Sequence, residues 1–266
     1  MSALSNEAAL PGASPERDSA LVLLHGGGPG VDAVSNWATA RTRFSATFRC
    51  FAPDLLGFGT RITVGEAGDG GPHGPRAWAR ARAWQILNLL DRHGACASPR
   101  QLGRGRRRRA GSHGRGTRTD RAGSPHGRCG HRTAASCRPF YDQPTRKSKR
   151  ATLGRLVADE NAHSELLESL AYLRLEQALR PGAEAAFRSM FTDVPDGPPP
   201  VDPSTVRTPV LALHGACDRV APVEVSERLA EALPHGRLKV VPGAGHWIHV
   251  DRPDEFCTLV EEFLSR

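Results

Sequence analysis

Leu21-Val22-Leu23-Leu24-His25-Gly26-Gly27-Gly28-Pro29-Gly30 carries a short apolar run straight into a glycine loop. Four consecutive apolar residues stopped by a turn suit a strand buried on both faces. The same design recurs down the chain. Phe48 to Pro53 reads as a second strand, closed by Asp54-Leu55-Leu56-Gly57-Phe58-Gly59. Pro209 to Leu213 is a third, ending at His214-Gly215-Ala216-Cys217-Asp218, and Leu238 to Val241 a fourth, ending at Pro242-Gly243-Ala244-Gly245-His246-Trp247. Helical periodicity fills the intervals. Ala77 to His93 puts Ala83, Ile86, Leu87 and Leu90 on one face, with Gly94 as a C-terminal stop. Pro222 opens a helix aligning Val225, Leu229 and Leu233, and Pro253 opens another aligning Phe256, Leu259, Val260 and Phe263. Alternating strands and helices predict an α/β fold with a mainly parallel sheet flanked by helices.

Between these halves, Ser164 to Leu179 is a strong helix, Ala183 to Phe191 a shorter one, and Asp196-Gly197-Pro198-Pro199-Pro200 a stiff linker. The organisation expected is an N-terminal core part at 19–138, a helical lid at 139–205 and a C-terminal core part at 206–266. A few extra surface helices would have the same composition as a lid.

Composition divides the chain in another way. Its 266 residues are 39% hydrophobic, enough to bury a core, and its formal charge is +8. Residues 95–138 hold twelve Arg and one acid, Asp120, a balance of +11. The remainder holds 24 basic and 27 acidic side chains, a balance of −3. Leu102 is the only large apolar residue of the basic segment, which also holds Cys96, Cys129 and Cys137. No apolar run reaches membrane-spanning length, and the first twenty residues lack a basic start followed by an apolar stretch. A soluble cytoplasmic protein with reduced Cys50, Cys217 and Cys257 is therefore expected, with no membrane partner.

Polar residues at strand ends are where open α/β sheets place their chemistry. Asp218 and His246 follow two consecutive strands, which would set them side by side. An acid holding the tautomer of an imidazole base is two-thirds of a nucleophilic triad. The Gly26-Gly27-Gly28 turn can aim backbone N–H groups at an oxyanion, and no G-x-G-x-x-G or G-K-[ST] phosphate cradle follows it. His25 reads as a structural hydrogen-bonding residue. His246 and His249 lack the further ligands a metal site needs, and Cys129, His131 and Cys137 fit no closed set, so no metal is expected.

In these motifs the chain resembles the α/β-hydrolase superfamily, and within it the meta-cleavage product hydrolases, which cut a C–C bond in dienoates from aromatic-ring and steroid degradation. HGGGPG at 25–30, Ser35-Asn36-Trp37, APDLLGFG at 52–59, HGACDRVAP at 214–222 and GHW at 245–247 carry the likeness, over about residues 19–94 and 139–266. The resemblance implies Asp218 as triad acid, His246 as base, and Gly27, with Gly28, as oxyanion donors. Asn36 and Trp247 would line the pocket of a small-molecule substrate, with no cofactor. A lid arginine would contact the substrate; Leu170 stands near its position and Arg174 is the nearby substitute. An ester or acyl hydrolase shares the fold, and a homo-oligomer is compatible with it.

The family's nucleophile is a Ser on a G-x-S-x-G elbow ahead of the acid and base. Near Leu102, where it is expected, stands Arg100-Gln101-Leu102-Gly103-Arg104-Gly105; Ser98, Ser112 and Ser124 have no small-residue elbow, so no residue qualifies. With 33 Arg to 3 Lys, the codons are GC-rich. Read from the second base of each codon, Arg100 through Gly105 can encode Gly-Asn-Ser-x-Gly-Gly, and Ser124 through Gly127 can encode Leu-Leu-Met-Gly. Two compensating frame changes, near residues 95 and 138, would thus disrupt the central strand and elbow and leave the chain inactive as written. The competing reading is a nucleic-acid or polyanion contact through residues 100–138. The absence of any aromatic for base stacking, in a segment that replaces a central strand, counts against it.

Overall fold

The computed structural model describes residues 20–62, 71–93, 109–110, 140–192 and 201–265. Strand β1 (Ala20–Val22) runs parallel to β2 (Arg49–Phe51), with Ala20 opposite Arg49 and Val22 opposite Phe51. One further bond runs from the Leu23 N–H to the Phe51 carbonyl, at 2.8 Å. The ladder then ends short of the expected strand, because Pro53 has no N–H to continue it. Helix α1 (Ala33–Phe44) crosses between the two strands. Its N-cap Asp32 accepts from the Ser35 N–H at 2.7 Å, and Trp37, Ala40 and Phe44, at helical spacing, form its buried face.

Helix α2 (Gly74–Arg92) begins three residues ahead of the sequence expectation, since Pro75 is tolerated in a first turn. Strand β3 (Arg109–Ala110) lies parallel to the start of β4 (Val210–Gly215), and β4 pairs along its whole length with β5 (Gly236–Val241). Every strand pairing among the described residues is parallel, in two sheets of order β1-β2 and β3-β4-β5. Apart from Arg109 and Ala110, residues 94–139 lie outside the described residues. With them lie the expected disruption, Leu102, Ser98, Ser112, Ser124 and the Cys129, His131, Cys137 group.

The region between the core parts is helical where it is described. Helices α3 (Arg146–Gly154), α4 (Ser164–Ala178) and α5 (Ala183–Ser189) follow one another, α3 packing on α4. The basic run of α3 hides it from a hydrophobic-periodicity reading, but Thr145 and Ser148 form a reciprocal capping box that starts it. Helices α6 (Val223–Ala232), α7 (Ile248–Asp251) and α8 (Pro253–Leu264) complete the chain.

Three apolar clusters hold these parts together. Leu21, Leu23, Trp37, Phe44, Phe256 and Val260 join β1 to α1 and α8. Val31, Phe58, Trp78 and Met190 join the glycine loop to α2 and the end of α5. Leu153, Leu167, Leu170 and Trp247 join α3 and α4 to the turn that follows β5. Among the described residues no helix is long and apolar enough to cross a membrane.

Candidate active site

Strands β4 and β5 deliver Asp218 and His246 to neighbouring loops. Those loops are stitched together by backbone bonds, Ala216 N–H to the Val241 carbonyl at 2.9 Å and Cys217 N–H to the Ala244 carbonyl at 2.8 Å. Gly215 is required here, because a Cβ at this position would collide with the Ala244 and Gly245 carbonyls. Asp218 and His246 meet as the sequence predicts: His246 Nδ1 lies 2.8 Å from Asp218 Oδ2. The other carboxylate oxygen accepts from the Val220 and Ala221 N–H groups at 2.7 and 3.1 Å. Burial alone would push the Asp218 carboxyl up. The hydrogen bond and charge of His246 and the two backbone donors outweigh it, holding the carboxyl below its ordinary 3.8. The stabilisation from this ionised acid is present above that ordinary value and is lost as pH falls through the depressed one. A carboxylate so held leaves His246 Nε2 free to act as a base.

The HGGGPG loop leaves β1 under firm control. His25 Nε2 accepts from the Leu55 N–H at 3.0 Å and Nδ1 bonds the Gly26 carbonyl at 2.8 Å, a structural role that uses both ring nitrogens. Gly30 adopts φ +74° and packs so tightly on the Arg174 carbonyl of α4 that no side chain fits. Arg174 is 2% exposed. Its Nε donates to Ser35 Oγ at 3.3 Å and its Nη2 to Asn36 Oδ1 at 3.4 Å, while the guanidinium lies 4.8 Å over the Trp247 ring. Asn36 and Trp247, read as pocket residues from sequence, thus converge on Arg174. Leu170, one turn earlier on α4, packs against Trp247 in the apolar cluster instead. Burial lowers the Arg174 guanidinium to about 10, and among the described residues no carboxylate comes within ion-pair reach of it.

Three site residues escape sequence reading. Asp251 accepts from the Gly245 N–H at 2.7 Å, from the Ala158 N–H at 3.0 Å and from His163 Nε2 at 3.0 Å, pinning the loop that carries His246. His214 bonds Ser226 Oγ at 2.8 Å through Nδ1 and brings Nε2 to 3.7 Å from Asp218. Lys149 is buried in α3 and donates to the Pro29 carbonyl at 2.7 Å.

A cavity of about 460 Å³ opens beside Asp218 and His246 and runs between Leu21 of β1, with Leu23 just after it, and Leu211 and Leu213 of β4. His249 lines it, its Nε2 without a hydrogen-bond partner among the described residues and its ring tilted at 40° with its centroid 4.9 Å from that of Trp37. Burial, then the Arg174 and His246 charges, push His249 down to about 3. It stays neutral in the fold but takes a proton below its ordinary 6.5 once unfolded, so stability falls as pH drops through that range. The thermal midpoint is expected to fall between about pH 7.5 and about pH 5, and His249→Gln to shrink that fall. An equal fall in the variant would refute this origin.

Parallel strands delivering an acid and an imidazole to one edge, under a glycine loop, define a hydrolytic α/β enzyme. The chain belongs to the alpha/beta hydrolase family, whose model matches residues 21–259. It is 28% identical to the 2-hydroxy-6-oxo-2,4-heptadienoate hydrolase of Pseudomonas putida, over 92% of this chain and 88% of that protein. The crystal structure of the 2-hydroxy-6-oxo-6-phenylhexa-2,4-dienoate hydrolase of a Rhodococcus species superposes with a TM-score of 0.72 at 26% identity, covering 93% and 91% of the two chains. The meta-cleavage product hydrolase of Pseudomonas fluorescens, solved as a serine-to-alanine mutant complexed with acetates, gives a TM-score of 0.68 at 27% identity over 94% and 91%.

Proposed function

We propose that the site is built to hydrolyse a C–C bond in a 2-hydroxy-6-oxo-dienoate, with Asp218 and His246 as acid and base and a serine nucleophile that this reading frame has lost. The buried Arg174, packed on Trp247 and without an ion-pair partner among the described residues, carries this reading. An arginine in the dry interior is costly unless an anion completes it, and the dienoate's carboxylate is such an anion. Asn36 and Trp247 orient the guanidinium, and Gly27 with Gly28 offers N–H groups to the oxyanion. Helices α3 to α5 serve as a lid, held to the core by Arg219, which donates to the Gly154 and Val157 carbonyls at 2.9 and 2.7 Å.

The reaction adds water across one bond. The dienol first ketonises, moving the hydroxyl proton to C5. The C6 carbonyl then accepts the oxygen nucleophile, its charge going to the glycine N–H groups. The C5–C6 bond breaks with its electron pair delocalised from C5 onto the C2 oxygen, which takes a proton, and the products are a carboxylic acid and a 2-hydroxydienoate. His246 handles the nucleophile's proton, and Asp218 stabilises the imidazolium that results.

Arg174→Met is expected to weaken dienoate binding by ~10- to 100-fold, the worth of a lost charge-assisted contact, and to leave an uncharged aryl ester untouched. Ligand titration by tryptophan fluorescence reads the first, and esterase kinetics on the frame-restored chain the second. Equal losses on both would show that Arg174 only supports the fold.

A further inference from the structure

The residues that flank Asp218 and His246 in the chain all hold one piece of the helical region above them. Arg219, directly after Asp218, donates to the Gly154 and Val157 carbonyls. Trp247, directly after His246, donates its backbone N–H to the Leu156 carbonyl at 2.7 Å. Gly245, directly before His246, lies so close to the backbone of Val157 and Ala158 that a Cβ there would meet it at 2.7 to 2.8 Å. The turn that leaves α3, residues 154–158, is therefore a wall of the dyad rather than a cover above it. One buried side chain joins these parts. Asp251 takes the Gly245 N–H at 2.7 Å and the Ala158 N–H at 3.0 Å, both on Oδ2, and His163 Nε2 on Oδ1 at 3.0 Å. Among the described residues, His163 is the only side chain that donates to Asp251. It is the N-cap residue of α4, with its ring 22% exposed where the Asp251 side chain is 3% exposed.

We propose that His163 is a positioning residue for the base: by holding Asp251 it keeps the turn 154–158 and the loop of His246 in register, so that His246 meets Asp218 squarely only while the start of α4 is seated. This rests on Asp218 and His246 as acid and base. A carboxylate has room for about four hydrogen bonds, and a buried one left short of donors is costly. Without the imidazole, Oδ1 of Asp251 keeps only the Ala158 N–H, at 3.2 Å and shared with Oδ2. The carboxylate is then free to turn toward water. The Gly245 N–H loses the acceptor that sets the peptide just ahead of His246. Such an error is felt directly, because the imidazole must keep its acid and its nucleophile within hydrogen-bond reach together. The other ties do not pass through His163. Arg219 and the Trp247 N–H still fasten the turn, so the fold survives while the aim of the imidazole is lost.

Proton NMR of the full chain with isotope-labelled histidine reads this through the Nδ1–H of His246, whose exchange with water reports how firmly the dyad is closed. His163→Leu is expected to speed that exchange ~10-fold or more, the worth of one hydrogen bond to a charged group. His163→Asn, whose amide is too short to reach Asp251, should do the same. His163→Gln, whose longer amide donates from the place of Nε2, should restore most of the protection. Arg146→Ala, which cuts the exposed pair with Glu168 between α3 and α4, should leave the exchange unchanged. Unchanged exchange in both His163→Leu and His163→Asn overturns the proposal, as does a loss in His163→Gln equal to that in His163→Asn. So does a matching loss in Arg146→Ala, which would trace the effect to the helical region at large. A His246 Nδ1–H line missing from the unaltered chain removes the pairing with Asp218 itself, and with it the acid–base reading beneath the proposal.

Discussion

Restoring the alternative frame across residues 95–138 is expected to raise turnover of a 2-hydroxy-6-oxo-dienoate by ~10⁴-fold or more, the scale of a missing triad nucleophile. The chain as written should show no serine labelling with a fluorophosphonate probe, and the restored chain should label at the serine encoded across the Leu102 position. The physical reason is geometric. Asp218 Oδ2 and His246 Nδ1 stand 2.8 Å apart, so in the proposed triad the oxygen nucleophile is the part to be restored. Nucleotides for residues 100–105 that yield no Gly-x-Ser-x-Gly in any frame would sink this account. So would strong labelling of the unaltered chain. A restored chain that labels and hydrolyses an aryl ester, yet leaves the dienoate intact, would keep the nucleophile and overturn the substrate.

In that restored chain, Asp218→Asn should lower kcat by ~10⁴-fold with little effect on KM. The amide keeps the size of the carboxylate and can still bond His246, but it reverses the favoured tautomer and offers no charge to the imidazolium. Proton NMR supplies a reading independent of turnover: the downfield Nδ1–H resonance of His246 should vanish in the variant. Its persistence alongside a large loss of rate would assign the defect to folding of the Asp218 loop, where Val220 and Ala221 donate to the same side chain.

Much of this site can be read in the chain because strand ends are written locally. A run such as Pro209 to Leu213 predicts a strand, and the residues after it must lie at the sheet edge. Asp218 and His246 follow from that logic alone. Arg174 could be reached only approximately. Leu170 and Arg174 lie four residues apart on one buried face of α4, and periodicity treats them alike. What chooses Arg174 is its reach to Ser35 and Asn36, contacts spanning much of the sequence. Asp251 and Lys149 were illegible for a related reason. Their partners come from other loops and helices, and a polar residue on a short or basic helix ordinarily reads as solvated. Helix α3 itself was announced only by its capping box, since its composition argues for exposure.

The backbone stitching between the ends of β4 and β5 has an evolutionary corollary. The proposed acid and base are held by one tract, residues 210–251, with Asp251 closing the far side. Damage to the segment preceding α3 therefore need not erode the half of the machinery that is hardest to reinvent. Such a gene would be dormant in the sense of a lock whose tumblers remain set, and reversion to a working enzyme would require repair at the seams alone.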